Sequence, residues 1–196
     1  MEEFGNWAYQ GRVPNSVPIA KSDKEIIHHF SNGHSMIQLE AGNLCRTLGG
    51  KKPTPLTDCS VGTICDVDLG SVRVCGKSVY FASHCSIRKH RFSSKGAFVM
   101  NAQWHKTRRV AVRAHPSDGK LDIVFSDLSL SQFWFAVQKS KSGSHVPLPD
   151  IRVKKIQDHT LTYPHPMRIY ADGVFVGIES TIELGIAHRA IKVVVH

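Results

Sequence analysis

Two basic stretches are the most chemically suggestive feature of the chain. HCSIRKHR (residues 84–91) and HKTRR (residues 105–109) flank the apolar run GAFVMNAQW. Paired across a hairpin, they would concentrate positive charge at one end of a sheet, able to meet lipid headgroups or phosphates or simply to form a solvated rim. The whole chain agrees in sign: 25 Lys and Arg stand against 16 Asp and Glu, a formal charge of +9. Such a balance favours anionic partners. A nucleic-acid module would interleave aromatics with those bases, and Trp104 alone stands close, so nucleic acid is not expected. The 12 His are scattered without the H-E-x-x-H spacing of a zinc site, and the five Cys include no C-x-x-C pair. They read as reduced thiols. G-x-S-x-G, the turn of a serine hydrolase, is absent.

These residues need elements to hold them. The stretch SVPIA reads as a short strand and DKEIIHHF as a helix that Asp23 can cap. Residues 35–39 form another short strand. Gly42-Asn43 is a turn, and residues 44–48 make a helical turn that Gly49-Gly50 stops. From residue 61 the pattern becomes β: apolar and polar residues alternate between glycines. GAFVMNAQW, RVAVRA and LDIVFSDL read as strands, with LDIVFSDL pairing back across the HPSDGK turn. One helix interrupts them, with Ser129 and Gln132 as a capping box and Leu130, Phe133, Trp134 and Val137 as its apolar stripe. MRIYADGVFVGI is a hairpin turning at Asp172-Gly173, and TIEL and AIKVVV end the chain. The pattern predicts a mainly β, α+β fold: a β-sandwich-like domain over residues 61–196, preceded by a small α/β piece over residues 1–60.

Three segments in order carry a family resemblance. SMIQLEAGNLCRTLGG resembles a strand, G-T-G-N turn and A-R-x-L-G helix. GAFVMNAQW with RVAVRAHPSDGKLDIVFSDL resembles the approach to an A-P-x-A-x-x-D-D-G-x-L-D-V segment. MRIYADGVFVG resembles a late hairpin carrying D-G-E. All three belong to the diacylglycerol kinase catalytic family, and the match spans roughly residues 35 to 196. Short actinobacterial-type members are also similar, with their HVPxPDI and DG segments. The resemblance implies the C-terminal β-sandwich of a lipid kinase behind a remnant of its nucleotide subdomain. It further implies ATP-dependent phosphorylation of a lipid hydroxyl, with Mg²⁺. Carried over residue by residue, Gly42, Asn43 and Arg46 would contact ATP, Asp118 would hold a structural Mg²⁺, and Asp172 would belong to the catalytic set.

The sequence departs from that pattern in three places. Lys21-Ser22-Asp23 stands where the family has G-G-D-G-T. Glu40 and Ala41 replace Gly and Thr before Gly42-Asn43. Val174 stands where the family has the Glu of D-G-E, and valine does no proton chemistry. Two functions therefore remain: a divergent lipid kinase, or a non-catalytic relative that binds a lipid or phosphorylated ligand, alone or with a partner subunit. No apolar run reaches the ~20 residues of a membrane span, and MEEFGNWAYQG does not resemble a signal peptide. A cytoplasmic protein, peripheral at the inner membrane face, is expected, as a homodimer or hetero-complex.

Overall fold

Alternation along VGTICDVDLGSVRV gives β4 (Val61–Val74), a strand long enough to serve two cores. A computed structural model describes residues 7–14, 16–50, 61–90, 93, 95–127 and 151–196. The helix expected at residues 129–137 lies outside these. The other strands are β1 (Ala8–Arg12), β2 (Ile19–Ala20), β3 (Met36–Leu39), β5 (Lys77–Phe81), β6 (His84–Arg88) and β7 (Lys95–Met100). They continue with β8 (Trp104–His105), β9 (Arg108–Arg109), β10 (Leu121–Asp127), β11 (Ile151–Ile156), β12 (His159–Ala171) and β13 (Val174–Val195). Two helices, α1 (Asp23–Ser31) and α2 (Asn43–Thr47), lie near the start.

One sheet runs β1-β4-β13-β12-β6-β7-β10-β11, with β5 added on β4. β2 pairs with β3, and β3 lies parallel to the end of β13. Residues 16–50 therefore share a sheet with the last strand of the chain. The expected TIEL and AIKVVV strands are both parts of β13, whose register against β4 shifts between Ala187 and Ile191.

The period of two distributes side chains between cores. On β4, Cys65, Val67 and Leu69 face a cluster with Ile26, Ile37, Leu39 and Leu44, whereas Val72 and Val74 face the larger cluster with Phe81, Ile87, Val99, Ile123 and Ile169. β13 does the same, with Ile182 and Leu184 in the larger core and Ile191, Val193 and Val195 in the smaller one. Gly70 is required where the faces exchange: a Cβ there would overlap the Phe81 ring. Two hairpins turn on residue pairs with positive φ at both positions, Cys75-Gly76 and Asp172-Gly173, as right-twisted strands require.

Three local expectations are corrected. RVAVRA is not a strand beyond its first residue, Arg109, which ends β9. Its Val110, Ala111 and Ala114 instead pack with Met100 and Val124 on the outer face of the sheet, because burying them there satisfies the same apolar pattern. β10 accordingly pairs with β7 and β11, not across the HPSDGK turn. The basic stretches also separate: β6 and β7 pair Arg88 with Gly96 and His84 with Met100, so Lys89 and His90 lie at one end of the hairpin and residues 105–109 follow its other end.

Candidate functional site

The loop after β7 meets the start of α2, and the hydrogen bonds at this junction involve residues from three parts of the chain. The pivot is Asp23. It does not cap α1, whose N-cap Ser22 makes no side-chain cap bond. Its carboxylate instead accepts the backbone N–H groups of Asn43 (3.0 Å) and Leu44 (3.0 Å) and the Asn43 side-chain amide (2.8 Å). Gly42 permits this approach: its φ is +114°, and a Cβ would lie 2.7 Å from Asp23 Oδ1. Burial pushes the Asp23 carboxyl up from its ordinary range, against the three hydrogen bonds that pull it down.

Asn43 carries the network onward. Its Oδ1 accepts the Lys106 N–H at 2.5 Å, while Arg46 donates to the Lys106 carbonyl at 2.9 Å and lies over the Trp104 ring. Thr47 donates to the Asn43 carbonyl and accepts the Gln103 N–H. One residue before Lys106, His105 stacks edge-on against His84, with ring centroids 4.4 Å apart.

Asp172 closes the chain of contacts. Its side chain is 2% exposed. It accepts the N–H groups of Ala82 (2.7 Å), Ser83 (3.0 Å) and His84 (3.0 Å). Burial, reinforced by the charge of Asp23, pushes its carboxyl up to about 7 despite those bonds. His84 is driven down to about 3 and His105 to about 4, chiefly by burial. The His84 Nδ1 to Asp172 Oδ1 separation of 3.7 Å is therefore a contact of a neutral imidazole, not an ion pair. Gly42, Asn43, Arg46 and Asp172, separated by up to 130 residues in sequence, are thus brought to one corner.

Asp118 stands elsewhere. It accepts the Lys120 N–H and forms an ion pair with Lys155 at 2.6 Å. No group of three His, Cys, Asp or Glu side chains that could hold a metal exists among the described residues, so a cation at Asp118 would compete with Lys155 and draw its other ligands from backbone oxygens. The two turns expected to meet a triphosphate carry carboxylates. At the turn before α1, the Glu25 carboxylate accepts the Lys21 N–H (2.8 Å) and the Ser22 hydroxyl (2.9 Å). At the turn before α2, Asp23 holds the two N–H groups just described. Glu40 adds a third carboxylate, 3.7 Å from Lys21 Nζ. At these turns the Lys21, Asn43 and Leu44 amides are held by the protein's own anions.

The sequence assigns no role to Asp68, Asn101 and Asp122, yet all three are buried. Asp68 is fully buried, accepts the N–H groups of Gly119 (2.7 Å) and Arg189 (2.7 Å), and lies 2.8 Å from His188. It pins the Asp118-Gly119 turn to the irregular stretch of β13. Asn101 donates to the carbonyls of Asp68 and Ala82. The available signal for Asp68 and Asp122 was a single carboxylate between two apolar residues of a strand, at Val67-Asp68-Leu69 and Leu121-Asp122-Ile123.

Comparison with known proteins places this architecture. The chain shares its fold with a diacylglycerol kinase from Bacillus anthracis strain Sterne, at 11% identity and TM-score 0.53, over 91% of this chain and 75% of that one. Two structures named "putative diacylglycerol kinase" from the same strain superpose with TM-scores of 0.60 and 0.57, at 10% and 11% identity, each over 91% of this chain and 77% of theirs. No family model and no curated protein matches the sequence.

Proposed function

We propose that this protein is a non-catalytic counterpart of the diacylglycerol kinase fold, binding an anionic lipid or phosphorylated ligand in place of transferring phosphate from ATP. The observation that carries this reading is the Asp23 carboxylate seated on the Asn43 and Leu44 N–H groups. A phosphate approaching that turn meets a buried carboxylate that already holds two of its amides. Three features support it: Glu25 on the Lys21 N–H, Lys155 on Asp118, and Val174 after the Asp172-Gly173 turn. The net charge of +9 suits an anionic ligand, and the cytoplasmic face of a membrane is where such a charge would act. No helix among the described residues is long and apolar enough to cross a membrane.

ATP-dependent phosphorylation of a lipid hydroxyl is the second reading. Asp172 favours it, because a carboxyl pushed up to about 7 lies where a general base works best. Calorimetry with Mg²⁺ and ATP on wild type and Asn43→Ala separates the two. We expect no heat of binding at millimolar ATP for either protein. Binding by wild type that Asn43→Ala abolishes would overturn the non-catalytic reading, and a diacylglycerol kinase assay would follow.

A further inference from the structure

Asp122 sits where a carboxylate is costly. Leu121 and Ile123, its neighbours on β10, point into the larger core, so strand alternation turns Asp122 to the opposite face. There it is 2% exposed, and neither carboxylate oxygen has a hydrogen-bond partner among the described residues. A buried, unpartnered carboxylate is rare enough in folded proteins to need an explanation. Asp122 also lines a cavity of about 550 Å³, whose other walls include Ala111, Val112, Val153, Arg113 and Lys155. That volume lies within the usual range of small-molecule sites.

The donors and acceptors define the ligand. Two unsatisfied carboxylate oxygens ask for two donors side by side. A lone cationic ligand is disfavoured, because Arg113 and Lys155 line the same cavity as Asp122, with Lys155 also paired to Asp118. A vicinal diol supplies two O–H donors without charge, and an attached phosphate would answer Arg113 and Lys155. The apolar residues suit the carbon skeleton between them.

We propose that this cavity binds a glycerol phosphate group, its vicinal diol donating to Asp122 and its phosphate meeting Arg113 and Lys155. The inference deepens the anionic-ligand reading above by naming the site and the ligand chemistry. Its test uses no nucleotide, so the two readings fail separately. The group could arrive as free glycerol 3-phosphate or as the headgroup of phosphatidylglycerol.

The experiment has two arms, each run on wild type, Asp122→Asn and Arg113→Gln, with folding checked by circular dichroism. Calorimetry with sn-glycerol 3-phosphate reads the soluble source. Co-flotation with vesicles containing phosphatidylglycerol, against vesicles of equal charge containing phosphatidylserine, reads the lipid source. We expect binding in at least one arm, weakened tenfold or more by Asp122→Asn and several-fold by Arg113→Gln. In the lipid arm, phosphatidylglycerol should be preferred over phosphatidylserine. Absence of binding in both arms would overturn the proposal. So would equal flotation with both lipids and no calorimetric binding, or binding that Asp122→Asn leaves unchanged.

Discussion

At the scale of the residue, the corner between α2 and the Asp172 turn is governed by desolvation. Asp172 is ordinarily ionised above about 4, yet here its carboxyl is pushed up to about 7. Between those values the native state holds a proton that the unfolded chain has released, so this group's contribution to stability falls as pH rises through the window. His84 and His105, driven down to about 3 and about 4, act oppositely. The unfolded chain protonates them first, so their contribution rises with pH up to about 6.5. Asp172→Asn removes the falling contribution and leaves the rising ones. It also turns an amide toward three backbone N–H groups, a loss of about 2 kcal/mol. The expected result is a lower melting temperature throughout, with a steeper rise between pH 4 and 6.5 than in wild type. Thermal unfolding followed across that range would read it, and a parallel profile would show that Asp172 titrates normally.

At the scale of the element, β4 and β13 matter most, because each lends opposite faces to two cores. The exchange on β4 depends on Gly70 lying beneath the Phe81 ring. Gly70→Ala inserts a methyl into that contact, and overpacking of this kind costs about 1–3 kcal/mol. We expect the midpoint of chemical unfolding to fall accordingly, whereas Gly76→Ala, with nothing near its Cβ, should be limited to the cost of its positive φ. Equal losses at the two positions would remove the steric explanation. The pairing of β3 with β13 explains why α2 stands where it does. Once the end of β13 lies beside β3, the turn after β3 falls next to the loop that follows β7, and Asn43 reaches Lys106.

At the scale of the whole molecule, uncovered apolar surface points to association. Phe175 and Ile178, near the start of β13, share a face through their pairing with Tyr170 and Arg168 and are each close to half exposed, and Arg168 lies against the Phe175 ring. We propose that this face joins a second copy or another subunit. Light scattering at micromolar concentration should give a mass near twice the 21.8 kDa of one chain, reduced to one chain by Phe175→Glu. A monomeric mass for wild type would count against a homodimer and leave only a different subunit as partner.

Most of the strands, several turns and the fold class were legible along the chain, because those follow from local periodicity and from residues that tolerate positive φ. Asp172-Gly173 is legible as a hairpin turn since a two-residue connection needs such a pair. The placement of Asn43, Arg46 and Asp172 in one corner was legible only through resemblance to a family of known arrangement. Tertiary structure alone decided the rest. Asp23 is an ordinary helix-capping residue by its neighbours, but the helix it serves begins 20 residues later. RVAVRA alternates as a strand does, yet its apolar side chains find a partner on the outer face of the sheet. Asp122 and Lys155 are unremarkable in sequence, and only the pairing of β10 with β11 sets them beside one cavity. Each case turns on contacts between residues distant in the chain, whose energies depend on which surfaces meet and not on the neighbours along the backbone.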